Sequence, residues 1–183
     1  MKVYPATISE VLILEPRIFS DSRGYFFESF NQRVFNETVG QCINFVQDNH
    51  SRSAKGVLRG LHYQNPKPQG KLVRVVHGAI FSVAVDLRAS SPTFAQWVGV
   101  ELSAVNHRQV WIPPGFAHGF LATSECAECL YKSSEYYAPE FEHCIAWNDA
   151  RLSIDWPVQN MSPVLSSKDR SGVQFDKACL FEN

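Results

Sequence analysis

The chain has 183 residues, 45% hydrophobic and 19% charged, with a formal net charge of -1; this fits one globular domain spanning 1–183 and argues against disorder or general nucleic-acid binding. No run reaches the length of a membrane span, and the start Met1-Lys2-Val3-Tyr4-Pro5-Ala6-Thr7 lacks the apolar stretch and cleavage pattern of a signal peptide. The five cysteines, Cys42, Cys126, Cys129, Cys144 and Cys179, are an odd set without an export signal and are expected as reduced thiols in the cytoplasm.

Short apolar or alternating runs recur along the chain, at 11–14, 25–27, 45–47, 72–76, 80–87, 97–102, 109–112, 119–122, 129–133 and 144–147. Turn clusters such as Pro66-Lys67-Pro68-Gln69-Gly70, Ser90-Ser91-Pro92 and Pro113-Pro114-Gly115 separate them. That cadence predicts an all-β sandwich or barrel. A helical pattern falls at 31–40, with Asn31 as the N-cap, Val34 and Phe35 turned inward and Gly40 at the left-handed end. A second short helix is expected after Ser166. The aromatic load of 13 Phe, 6 Tyr and 4 Trp suits either a thick core or an aromatic-lined pocket.

The segment from Gly56 to Gln64, followed by Gln69-Gly70-Lys71, sets Arg59, His62 and Lys71 at offsets that can share one face of an extended chain. A hairpin through 65–70 would bring the imidazole near the two cations, a costly arrangement in a core and a useful one in an anionic, proton-moving pocket. His77-Gly78 reads as a second hairpin turn. In the strand after it, Phe81, Val83, Val85 and Leu87 share one face. The smaller Ser82, Ala84 and Asp86 share the other and leave room for a cavity.

Other segments are less specific. Asp21-Ser22-Arg23-Gly24 reads as a solvated turn, and the polar stretch 47–51 as the start of a loop. Cys126-Ala127-Glu128-Cys129 has redox spacing but lies in a strand pattern with no second pair. Pro113-Pro114-Gly115-Phe116-Ala117-His118-Gly119 resembles the turn that presents a metal-binding histidine in cupin jelly rolls. The companion His-x-His is replaced by His62-Tyr63-Gln64, so no metal is expected. From spacing alone His118 either fixes its loop by hydrogen bonds or faces a pocket.

Taken together, these segments, with 83–88, 91–94, 130–132, 147–149 and 165–169, resemble the dTDP-4-dehydrorhamnose 3,5-epimerase family from residue 11 to about 169. The resemblance implies a cupin-type jelly-roll β-barrel or sandwich with a few short helices. It also implies cofactor-independent epimerisation of dTDP-4-dehydro-6-deoxy-D-glucose at C3 and C5. The 4-keto group acidifies both neighbouring protons, so a base can remove each through an enolate. By the resemblance, His62 is the base and Asp169 the carboxylate that orients it. Lys71, helped by Arg59, stabilises the C4 oxyanion, and Tyr131 is the acid on the opposite face. Arg23 and Lys168 would serve the diphosphate, and Glu28, Gln47 and Asn49 the nucleotide. Tyr137 would stack on thymine, Glu142 would line the site and His118 would touch the sugar. A homodimer with residues crossing between subunits is also implied, with a dTDP-sugar as partner molecule and no nucleic acid or membrane.

One departure is visible: the family often reads Asp-Val-Ala-Val-Asp where this chain has Ser82-Val83-Ala84-Val85-Asp86. Without an acid at this position, His118 would be harder to protonate. The alternatives are an epimerase acting at C3 or C5 only, a metal-dependent cupin enzyme, and a nucleotide-sugar binder without catalysis.

Overall fold

A computed structural model describes residues 1–158 and 162–182. Along the chain run β1 (Lys2–Pro5), β2 (Leu12–Glu15), β3 (Phe19–Asp21), β4 (Gly24–Phe26), helix α1 (Gln32–Val39), β5 (Gln47–Ala54), β6 (Leu58–Gln64) and β7 (Lys71–His77). They are followed by β8 (Ala79–Asp86), β9 (Trp97–Ser103), β10 (Gln109–Ile112), β11 (Phe116–Ala122), β12 (Cys126–Ser133), β13 (Glu142–Cys144) and the one-turn helix α2 (Ser167–Arg170).

Six strands pair in the order β1-β2-β10-β7-β12-β5, and five in the order β13-β6-β11-β8-β9; β3 and β4 form a separate hairpin. The two larger sheets face each other across one core. Val73, Val75, Val110 and Ala127 from the first meet Ile80, Ala84, Val100 and Phe120 from the second. Alternation along each strand sends every second residue into that core. The result is the expected cupin-type jelly roll.

Two further layers close the outer faces. Behind the five-stranded sheet, Leu61, Val85 and Leu121 are covered by the C-terminal segment through Leu152, Trp156 and Phe175. Behind the six-stranded sheet, α1 packs Phe35 against Leu72 and Trp111. Eight residues are too few for a helix to stand alone in water. Its ends are therefore chemically fixed: the Asn31 side chain accepts from the Val34 N–H, and Gly40 takes a φ of 71° at the C-terminus. Phe35 also meets Trp111 edge-on at 5.2 Å between ring centres, a geometry that adds about 0.5–1.5 kcal/mol beyond burial.

Three expectations need correction. β6 and β7 are not a hairpin, because they belong to different sheets and the turn through 65–70 crosses between them. The same holds for β7 and β8 at His77-Gly78. The polar stretch 47–51 is not a loop but most of β5. Its inward residues Gln47 and Asn49 are hydrophilic because they face a cavity, which removes the apolar half of the usual alternation.

Candidate active site

Strand β6 carries an irregularity that decides where its polar side chains point. Opposite β11, His62 pairs with His118 and Arg59 with Phe120, so three steps on β6 match two on β11. The extra residue is a bulge at Gly60-Leu61. It lets Leu58, Leu61 and Tyr63 all enter the outer core although the first two are three apart. Arg59 and His62 consequently share the inner side. Gly60 has φ 116°, and a Cβ there would lie 2.5 Å from the Gly119 Cα. Only glycine fits this position.

The Gly60 N–H points at Asp169 Oδ1, 3.0 Å away. The same oxygen lies 2.9 Å from His62 Nε2. At that distance a protonated imidazole would form an ion pair with the carboxylate, while the contact falls short of a well-aimed hydrogen bond. The other carboxylate oxygen accepts from the Ser166 hydroxyl at 2.6 Å. Ser166 is the N-cap of α2, and Asp169 completes a capping box with it. Asp169 is buried, and burial opposes its charge. The contact with His62, the Ser166 hydroxyl and the Gly60 N–H together outweigh that penalty and hold its pKa well below the usual carboxylate range. Asp169 is therefore an anion fixed against one ring nitrogen, which leaves Nδ1 of His62 for other work.

His62 opens onto a cavity of about 310 Å³ whose lining includes Gln47, Asn49, Lys71, Tyr131, Tyr137 and Glu142. Lys71, Tyr131, Gln47 and Asn49 come from the six-stranded sheet, and His62 and Glu142 from the five-stranded one. In register, Tyr131 sits between Asn49 and Val73, and Ser133 between Gln47 and Lys71. Burial pushes the Lys71 ammonium down to about 8, against the pull of Glu142. Burial also pushes the Tyr131 phenol up, with Arg59 pulling the other way, so Tyr131 keeps its proton at neutral pH. His118 lies beside His62 on the neighbouring strand, nearly buried, with Nε2 3.0 Å from Ser82 Oγ. The small inward face of β8 thus meets a histidine.

At the rim, Glu142 accepts from the Tyr137 hydroxyl at 2.5 Å and from the Lys168 ammonium. Arg59 donates to Ser53 Oγ and the Arg52 carbonyl, next to the cavity lining rather than in it. Arg23 and Glu28 are not brought to this cavity. Arg23 is an exposed turn residue paired with Asp21, and Glu28 accepts from Asn31. Sequence reasoning missed Gln64, whose side chain binds the 134–138 loop through the Ala138 N–H and the Tyr136 carbonyl and so presents Tyr137. It also missed Ser166, although the Ser-x-x-Asp spacing is a readable cap signal.

Among the described residues, a ring nitrogen of His62, Cys144 Sγ and an Asp169 oxygen lie within 4.8 Å of one another. Both Asp169 oxygens already accept protein hydrogen bonds, and burial pushes the Cys144 thiol up to about 12. The group reads as an imidazole, its neighbouring carboxylate and a half-buried thiol. No helix is long and apolar enough to cross a membrane among the described residues.

The family model described as dTDP-4-dehydrorhamnose 3,5-epimerase matches residues 5–177. A Pseudomonas aeruginosa protein of that name is 60% identical over 181 residues, covering 99% of each chain. Among solved structures, an epimerase from Legionella pneumophila in complex with dTDP-4-keto-L-rhamnose superposes with a TM-score of 0.96 at 49% identity, covering 100% of this chain and 98% of its own. A 3'-monoepimerase from Streptomyces bikiniensis in complex with dTDP-quinovose gives a TM-score of 0.88 at 34% identity, covering 94% and 87%.

Proposed function

The chain belongs to the dTDP-4-dehydrorhamnose 3,5-epimerase family, and on that premise we propose how its own residues epimerise dTDP-4-dehydro-6-deoxy-D-glucose at C3 and C5 to dTDP-4-dehydro-L-rhamnose, a step of dTDP-L-rhamnose biosynthesis. The observation that carries this reading is that His62 and Tyr131 line one cavity from opposite sheets. His62 takes the proton next to the 4-keto group, and the Asp169 anion stabilises the resulting imidazolium. Negative charge moves to the C4 oxygen, where the Lys71 ammonium neutralises it. Tyr131 returns a proton from the other face, which inverts the carbon. Once His62 has passed its proton to water and the Tyr131 phenolate has taken one back from solvent, repeating the sequence at the second carbon completes the double epimerisation, and no cofactor is called for.

Lys168 exchanges Glu142 for the diphosphate, and Tyr137 stacks on the base beside Gln47 and Asn49. His118 and Arg59 support the sugar end. Arg23 and Glu28 serve the nucleotide of a second copy in a homodimer. Three features support that assembly: the two residues stand away from their own cavity, Phe19, Tyr25 and Phe26 are exposed on the β3–β4 hairpin, and the outer edge of β5 has no strand partner among the described residues. Five free thiols support a reducing, cytoplasmic setting.

Incubation with the 4-keto sugar nucleotide in deuterated water, followed by NMR, tests the reaction. The expected product carries deuterium at both C3 and C5. Label at C3 alone would reassign the chain to monoepimerisation, and no label would end the epimerase reading.

A further inference from the structure

We propose that Ser82 is a positioning residue that holds His118 as a neutral imidazole with its proton on Nδ1, so that His118 meets the sugar as an uncharged hydrogen-bond donor. The sugar as recipient rests on the epimerase reading, whereas the protonation state of His118 does not.

Ser82 is 2% exposed on the inward face of β8, between Ile80 and Ala84, both in the apolar core. A hydroxyl without a partner there would be desolvated with nothing to offset it. Its one side-chain hydrogen bond among the described residues joins Oγ to His118 Nε2 at 3.0 Å. Were Oγ to accept from an Nε2–H, its own proton would be stranded in the core. Donation by the hydroxyl satisfies both atoms, and it requires Nε2 to be bare. The single proton of the neutral ring then sits on Nδ1, which makes no protein hydrogen bond among the described residues and remains available as a donor.

The surroundings oppose a second proton. Lys71 from β7 and His62 from β6 are the titratable neighbours acting on the ring, and both disfavour a positive charge. The β8 neighbours Ser82 and Ala84 are neutral, as is Phe120 on its own strand. The acids of the site are committed elsewhere: Glu142 on β13 to Lys168 and Tyr137, and Asp169 on α2 to His62, Ser166 and Gly60. Burial, reinforced by the two neighbours, holds the imidazole well below its ordinary pKa. A serine supplies a hydrogen bond here without supplying the charge that would reverse this.

The test is long-range proton–nitrogen NMR on protein with labelled histidines, recorded between about pH 5 and 8, where an unperturbed imidazole titrates. The His118 signals are assigned by their loss in His118→Gln. The expected pattern is a fixed Nδ1–H tautomer that does not titrate in this range. Ser82→Ala should release the tautomer preference. Ser82→Asp should tighten proton binding roughly 10- to 1,000-fold and bring the imidazolium into view near neutral pH. An Nε2–H tautomer or an imidazolium at neutral pH in the unsubstituted protein would overturn the proposal. So would a pattern unchanged in Ser82→Ala, which decides the matter even if Ser82→Asp fails to fold. The spectra need no substrate, so their outcome is separate from deuterium uptake by the sugar.

Discussion

Lys71 keeps a cation where a cation is costly. It is 9% exposed at the start of β7, and burial moves its pKa down to about 8 although Glu142 pulls it upward. The folded protein therefore holds this proton at neutral pH and releases it in mild alkali. If the ammonium neutralises the C4 oxyanion, turnover should fall as pH rises through about 8. Lys71→Arg should move that limb to higher pH, because guanidinium stays protonated. A limb that stays in place in Lys71→Arg would remove the lysine from this role. Stability has the opposite sign: between about 8 and the ordinary 10.5 the unfolded chain binds more protons, so this residue's contribution rises with pH. At this scale the sequence was legible for side chains that cluster in one segment, such as Arg59, His62 and Lys71. The Ser166-x-x-Asp169 spacing marks Asp169 as a helix-cap residue, but no local pattern marks it as the partner of His62. Its partner His62 and its donor Gly60 lie far upstream, and only the family resemblance joined them.

Among the elements, β6 and α2 do the positioning. The bulge at Gly60 turns Arg59 and His62 to the same side, and α2 holds the carboxylate against the histidine through the Ser166 cap. Removing that cap with Ser166→Ala should cost about 0.5–2 kcal/mol by chemical denaturation. It should also lower turnover, since one Asp169 oxygen loses its hydroxyl donor. Full turnover at unchanged affinity in Ser166→Ala would show that the cap does not position the carboxylate. Helix α1 was readable almost to the residue because its ends are set by local chemistry, Asn31 at one and Gly40 at the other. Strand β6 was harder, since a bulge breaks the period of two on which strand reading depends. Strand β5 was missed as a strand because its inward positions serve a cavity.

For the whole molecule, the facing of two sheets turns separate side chains into a site. Sequence periodicity located most of the strands but could not assign them to sheets. Both turns flanking β7 carry ordinary hairpin chemistry, yet each crosses from one sheet to the other. The crossing is a property of global packing, and local residues do not encode it. The same burial shapes acid stability. His118 is held below the ordinary 6.5 and Asp169 below 3.8. In both cases the unfolded chain binds more protons as acid is added, so stability should decline as pH drops below 6.5 and again below 3.8. Denaturant titrations across that range check the sign, and stability rising toward acid would contradict it. The facing of His62 and Tyr131 from opposite sheets is tested most directly by Tyr131→Phe, with solvent deuterium uptake and product formation followed together. Proton abstraction by His62 should survive, so substrate still exchanges with solvent, while inverted product falls by about 10²- to 10⁴-fold. Product formation at the unsubstituted rate would contradict the assignment of acid and base to facing sheets.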